Sequence, residues 1–168
     1  MRANGSLPSV FDRLVDDEPE RPVDARSFEP LTPALLHDVV LRDLRALFNT
    51  TCCDPWSALA SDERRHAAPR GAECSVLGYG LPALAGRPVS SCDTEVLARA
   101  LCHAIERFEP RLDARSVLVV PEVRAAGPRQ LLRFRIEGRL RAGPWPETLV
   151  MRTEIDLDNG MTRVTEQA

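Results

Sequence analysis

The apolar positions of this chain follow two periods. In two stretches, about residues 33–48 and 93–108, they recur every three to four residues, and from 117 onward mostly every second residue. Leu36, Val40, Leu44 and Phe48, with Val39 and Leu47 beside them, form a broad stripe that predicts an amphipathic helix. Thr32 can cap it, Pro33 suits its first turn, and it should stop near Asn49-Thr50. A second stripe of Leu97, Leu101, Ile105 and Phe108, thickened by Val96, Ala100 and Ala104, predicts a helix from about Asp93 to Phe108. Ser90 and Asp93 have the spacing of a capping box at its start.

Beyond residue 116 the pattern is that of strands. Val117 to Val120 reads as a buried strand. Leu132, Phe134, Ile136 and Leu140 alternate with Arg133, Arg135, Glu137 and Arg139. Leu149, Met151, Ile155 and Leu157 then alternate with Val150, Arg152, Glu154 and Asp156. Asn159-Gly160 signals a hairpin into a last strand around Met161 to Thr165. Helices first and strands later predict an α+β fold, with two main helices packed on one face of a small antiparallel sheet.

Other stretches keep neither period. Residues 1–32 are rich in Pro, Asp, Glu and Arg and read as an extended N-terminal arm. Phe11 and Leu14 in it sit three apart and would share one face of a helical turn, making a short anchor. Residues 33–168 then form a single domain, within which 51–74 reads as a long loop, of the sort that usually carries function or mobility. Ser75 to Pro82 is punctuated by Gly78 and Gly80 around Tyr79, which predicts a sharp turn with its apolar side chains packed inward.

Composition narrows the function classes. The 168 residues suffice for one buried core, and a formal charge of −3 gives no global attraction to nucleic acid or an anionic membrane. All 22 basic residues are arginine, whose planar fork suits bidentate pairing with carboxylates. Five cysteines without regular spacing argue against a disulfide framework and for a reducing compartment. The opening residues lack the apolar stretch of a signal peptide, and no run approaches the roughly 20 apolar residues of a membrane helix. A cytoplasmic protein without membrane insertion is the expectation.

Candidate chemistry is sparse. Cys52-Cys53 are adjacent, Cys102-His103 diverge on a helix, and His37 and His66 have no evident companions, so no metal or cofactor is expected. Cys102 falls beside the apolar stripe as a small core residue, and Ser75 lies in no nucleophile elbow. Glu106 and Glu109 could stand at the spacing of a glycosidase pair, but Pro110 ends the helix and sends them apart. The arginines at 133, 135, 139 and 141 could form a nucleic-acid patch. Cross-strand pairing with Glu154 and Asp156 is the better reading, because interleaved aromatics are missing.

One corner stands out. Pro110 pushes Glu109 out of the helical region, so the helix must end at about Phe108. In the extended stretch that follows, Glu109 and Arg111 share a side while Leu112 can turn back to the core. Arg111 would offset a carboxylate at the unfavourable end of the helix dipole.

Phe108-Glu109-Pro110-Arg111-Leu112 resembles a signature of the small baseplate-wedge proteins of contractile injection machines. Phe11-Asp12-Arg13-Leu14, Leu41-Arg42-Asp43-Leu44 with Leu47-Phe48-Asn49-Thr50, and Ser75 to Pro82 resemble further motifs of that family, in the same order. Thr51 and Gly78 depart from it, standing where arginine and asparagine are common. The resemblance implies a structural role in a type VI secretion baseplate, with the subunits TssF and TssG and the sheath protein as partners. It further implies that Glu109, Pro110 and Arg111 meet the wedge core, and that Phe11 and Leu14 anchor the arm. A lysozyme-like peptidoglycan hydrolase and a cytosolic anti-adaptor are the competing classes.

Overall fold

The structure is a computed structural model that describes Ser9, Asp12, Pro19, Glu20 and residues 32–52, 75–122, 130–141 and 147–167. Helix α1 spans Pro33–Phe48, with Thr32 Oγ1 accepting the Leu35 N–H as the cap. Its predicted stripe of Leu36, Val39, Val40, Leu44, Leu47 and Phe48 is the buried face, and Leu41 joins it. Helix α2 spans Thr94–Phe108. Asp93 is itself the cap, accepting from Glu95 N at 2.9 Å and Val96 N at 3.2 Å. The Ser90–Asp93 capping box is therefore not formed, because Ser90 belongs to a separate 3-10 turn, Val89–Ser91. An aspartate cap has the advantage of placing negative charge at the positive end of the helix.

The strands are β1, Leu118–Glu122; β2, Leu131–Leu140; β3, Glu147–Asp156; and β4, Thr162–Glu166. They form one antiparallel sheet in the order β1-β2-β3-β4. Period two decides its faces. Leu132, Phe134, Ile136, Leu140, Leu149, Met151, Ile155 and Val164 are buried on the inner face with the two helices, and the α+β prediction holds. Gly138 has a particular duty on that face: a Cβ there would stand 3.3 Å from Leu112 Cδ2, so the glycine leaves room for Leu112 to dock.

Three further readings need correction. The Val117–Val120 run is not a buried strand; Leu118 and Val120 are exposed because β1 is a sheet edge whose outer face lacks a covering layer among the described residues. The turn at 75–82 does not send all its apolar side chains inward: Val76 is 87 % and Leu77 50 % exposed, while Leu81 is buried. Asp156 lies opposite Leu131, not an arginine, and bonds instead to Asp158 N and Asn159 in its own turn. The rest of the arginine face pairs with carboxylates, led by Arg133–Glu154 at 2.6 Å across β2 and β3. Arg135 meets Glu137, Arg152 meets Glu122, and Arg139 and Arg141 both reach Asp113.

Candidate functional site

The chain leaves α2 where the sequence requires. Glu109 takes φ −120° and ψ 78°, outside the helical region, while its N–H still donates to Ile105 O at 2.9 Å. Arg111 and Asp113 then strap the segment to the end of β2, through Arg141 N to Arg111 O and Asp113 N to Arg139 O, both 2.8 Å. Leu112 pairs with Leu140 and is buried, as expected of a residue turned back to the core.

Glu109 and Arg111 do share a side, but that side faces the interior of their own chain. Glu109 is 2 % exposed. Its Oε1 accepts Arg111 Nε at 2.6 Å and the Arg111 main-chain N–H at 3.2 Å, and its Oε2 accepts Arg111 Nη2. Arg111 Nη2 also donates to Asp43 Oδ2 on α1 at 2.6 Å. Burial alone would weaken the Arg111 proton's hold, but the bonds to Glu109 and Asp43 outweigh it and push the guanidinium above its usual range.

The row continues. Asp43 Oδ1 accepts Arg42 Nε at 2.9 Å, and Arg42 Nη1 donates to Asp12 Oδ1 at 2.6 Å. Asp12 Oδ2 accepts from Ser9 Oγ at 2.7 Å. The bond from Arg42 holds the Asp12 carboxyl below the ordinary value, against the opposing effect of burial. Charges thus alternate along Asp12, Arg42, Asp43, Arg111 and Glu109, from the arm to the end of α2.

A third segment closes on the same place. Tyr79 sets its ring edge-on to Phe108, with centroids 5.3 Å apart at 74°. Burial, and after it the charges of Asp43 and Glu109, push the Tyr79 phenol up. Gly80 has φ +119°, and a Cβ on it would lie 2.3 Å from Thr50 O. Only glycine lets this segment bond α1's exit, through Leu81 N to Thr50 O at 2.8 Å and Cys52 N to Leu81 O at 2.9 Å. Asp12, α1 with its exit, the glycine turn and the end of α2 therefore lie at one site in space.

Of the residues expected to meet partners, Glu109 is buried, Arg111 is partly buried and Pro110 is exposed at the apex. Phe11 and Leu14 lie outside the described residues. Asp43, Arg42 and Tyr79 were not foreseen as members; their place inside the matching motifs was the available signal. Glu109 is committed to Arg111, while Glu106 is exposed and meets Cys102 Sγ at 3.5 Å, so the two carboxylates do not converge as an acid and nucleophile.

A two-helix, four-strand α+β scaffold carries this corner, and the charged residues there pair within the chain. The model of the baseplate wedge protein gp25 family matches residues 34–144, more than half of the chain, and the chain belongs to that family. No curated protein and no solved structure matches it. The family is a structural one, so the role is that of a baseplate component of a phage tail or contractile injection machine. No helix among the described residues is long and apolar enough to cross a membrane.

Proposed function

We propose that the chain serves in a type VI secretion baseplate, in the place that TssE subunits take. There it joins TssF and TssG in the wedge, on the cytoplasmic face of the inner membrane, and helps to start sheath assembly. The observation that carries this reading is the convergence of Asp12, α1 and the end of α2 on one row of charges, with Tyr79 of the glycine turn packed on Phe108 beside it. Structural economy alone would not bring the arm, α1, the glycine turn and the end of α2 to one surface. A wedge partner would meet Pro110 and the outer side of the Arg111–Asp43 pair, while buried Glu109 holds Arg111 in position. Phe11 and Leu14, flanking Asp12, would anchor the arm.

Sheath contact would use the sheet. In the β1–β2 register, alternation turns the main-chain groups of Val119 and Pro121 outward, toward an incoming strand. Pro121 lacks an N–H, which limits unspecific pairing at this edge.

The test is co-expression with candidate TssF and TssG followed by size-exclusion chromatography. The wild type should co-elute with both. Pro110→Glu, which adds bulk and charge at the exposed apex, should keep its fold by circular dichroism and drop out of the complex. Normal assembly of Pro110→Glu would remove the corner as the contact, and failure of the wild type to co-elute would remove the wedge reading.

A further inference from the structure

The far edge of the sheet behaves differently from β1. Asp156 N bonds Met161 O at 2.9 Å and Gln167 N bonds Val150 O at 2.9 Å, so residues 161, 163, 165 and 167 bond toward β3. Thr162, Val164 and Glu166 therefore turn their main-chain groups outward. That edge is occupied, and by side chains of α1 and of its C-cap residue Asn49. Asn49 Nδ2 donates to Thr162 O at 2.8 Å, and Asn49 Oδ1 accepts the Thr162 N–H at 2.9 Å. One carboxamide thus makes the two bonds that a residue of a fifth strand would make. Arg45 Nε donates to Val164 O at 3.1 Å, and His37 Nδ1 lies 3.1 Å from the Glu166 carboxylate.

The spacing explains why a helix can do this. Asn49 and Arg45 are four residues apart, about 6 Å of helix rise, and Thr162 and Val164 are two apart, about 6.8 Å of strand. The second Asn49 Nδ2 proton closes α1 by donating to Arg45 O at 2.8 Å. A single side chain ends the helix and caps the sheet.

We propose that Asn49 and Arg45 seal the β4 edge, so that the sheet accepts an added strand on its β1 side alone. A sheet open at both edges propagates indefinitely through heterologous contacts, whereas one open edge ends growth after a single addition. The specificity residues for strand partners then lie on α1, remote from the strand that binds. The seal rests on these bonds themselves; only the identity of the strand that β1 receives rests on the wedge reading.

The experiment uses the whole chain without partners. Asn49→Ala should speed hydrogen exchange at the Thr162 amide about tenfold, the factor roughly one lost hydrogen bond carries. Once β4 is uncovered, a second copy of the chain can pair there, and analytical ultracentrifugation should show concentration-dependent species larger than the wild type forms, which should not exceed a dimer. Adding Glu166→Pro, which removes an outward N–H from β4, should abolish the larger species. Arg45→Met leaves the Asn49 bonds in place and should give the same trend at higher concentration, which keeps the test valid if Asn49→Ala does not fold. Faster exchange without larger species would overturn the proposal, as would larger species that persist with Glu166→Pro. Neither result would bear on co-elution with TssF and TssG.

Discussion

Arg111→Ala is the most informative single change, because its cost follows directly from where Glu109 lies. Glu109 is 2 % exposed, and Arg111 supplies both side-chain bonds to its two oxygens. After truncation the carboxylate keeps the main-chain N–H of residue 111 as its bond, and Asp43 loses the same guanidinium. Leaving a buried charge uncompensated costs about 3–5 kcal/mol, against about 0–1 kcal/mol for an exposed pair. With a urea slope of about 2 kcal/mol/M, the unfolding midpoint should fall by about 1.5–2.5 M. The double variant Glu109→Leu with Arg111→Met removes both charges and fills the space with apolar atoms, while Asp43 retains Arg42. It should recover most of the loss, since replacing a whole buried pair is close to neutral. The assay is urea unfolding followed by circular dichroism at fixed protein concentration. A loss under about 1 kcal/mol for Arg111→Ala would refute the buried-pair argument. A double variant less stable than the single one would refute it as well. The same reasoning warns that Arg111→Ala cannot serve alone as a binding probe, because lost partner binding would be confounded with lost stability.

Two further outcomes are expected. Burial, with Glu106 adding to it, pushes the Cys102 thiol up to about 11, so at pH 8 its thiolate fraction falls about a hundredfold below that of an ordinary thiol. Alkylation by iodoacetamide, read peptide by peptide, should spare Cys102 at pH 8 and rise steeply toward pH 11; prompt labelling at pH 8 would contradict this. Gly80→Ala should destabilise by more than about 1–3 kcal/mol in thermal melts, because strain at φ +119° adds to a Cβ 2.3 Å from Thr50 O; an unchanged melting temperature would show that the turn relaxes freely.

Periodicity made most of the fold legible. The stripe from Leu36 to Phe48 and the alternation from Leu132 to Leu140 each mark a buried face, and both elements formed where they were expected. Burial itself was less legible. Val117 to Val120 carries no polar residue to mark an outer face, so a half-exposed edge strand looked like an interior one. At the corner, local chemistry revealed the helix stop and the Glu109–Arg111 pair. It could not reveal Asp43, 68 residues earlier, because that partnership is set by how α1 and α2 cross. The same is true of Asn49, which reads in sequence as a helix end and acts in the fold as part of a sheet.

The bonds from Asn49 to Thr162 join positions 113 residues apart, and this orders the making of the protein. During synthesis α1 leaves the ribosome long before β4, so its carboxamide and the Arg45 guanidinium must wait in water while α2 and β1–β3 emerge. Without β4, β3 would be the sheet's outer strand and would present an unpaired row. Docking of β4 under α1 is then a single closing step that completes the sheet and covers its edge together. A chain cut short before β4 would keep β3 as an open edge and would be the form prone to self-association.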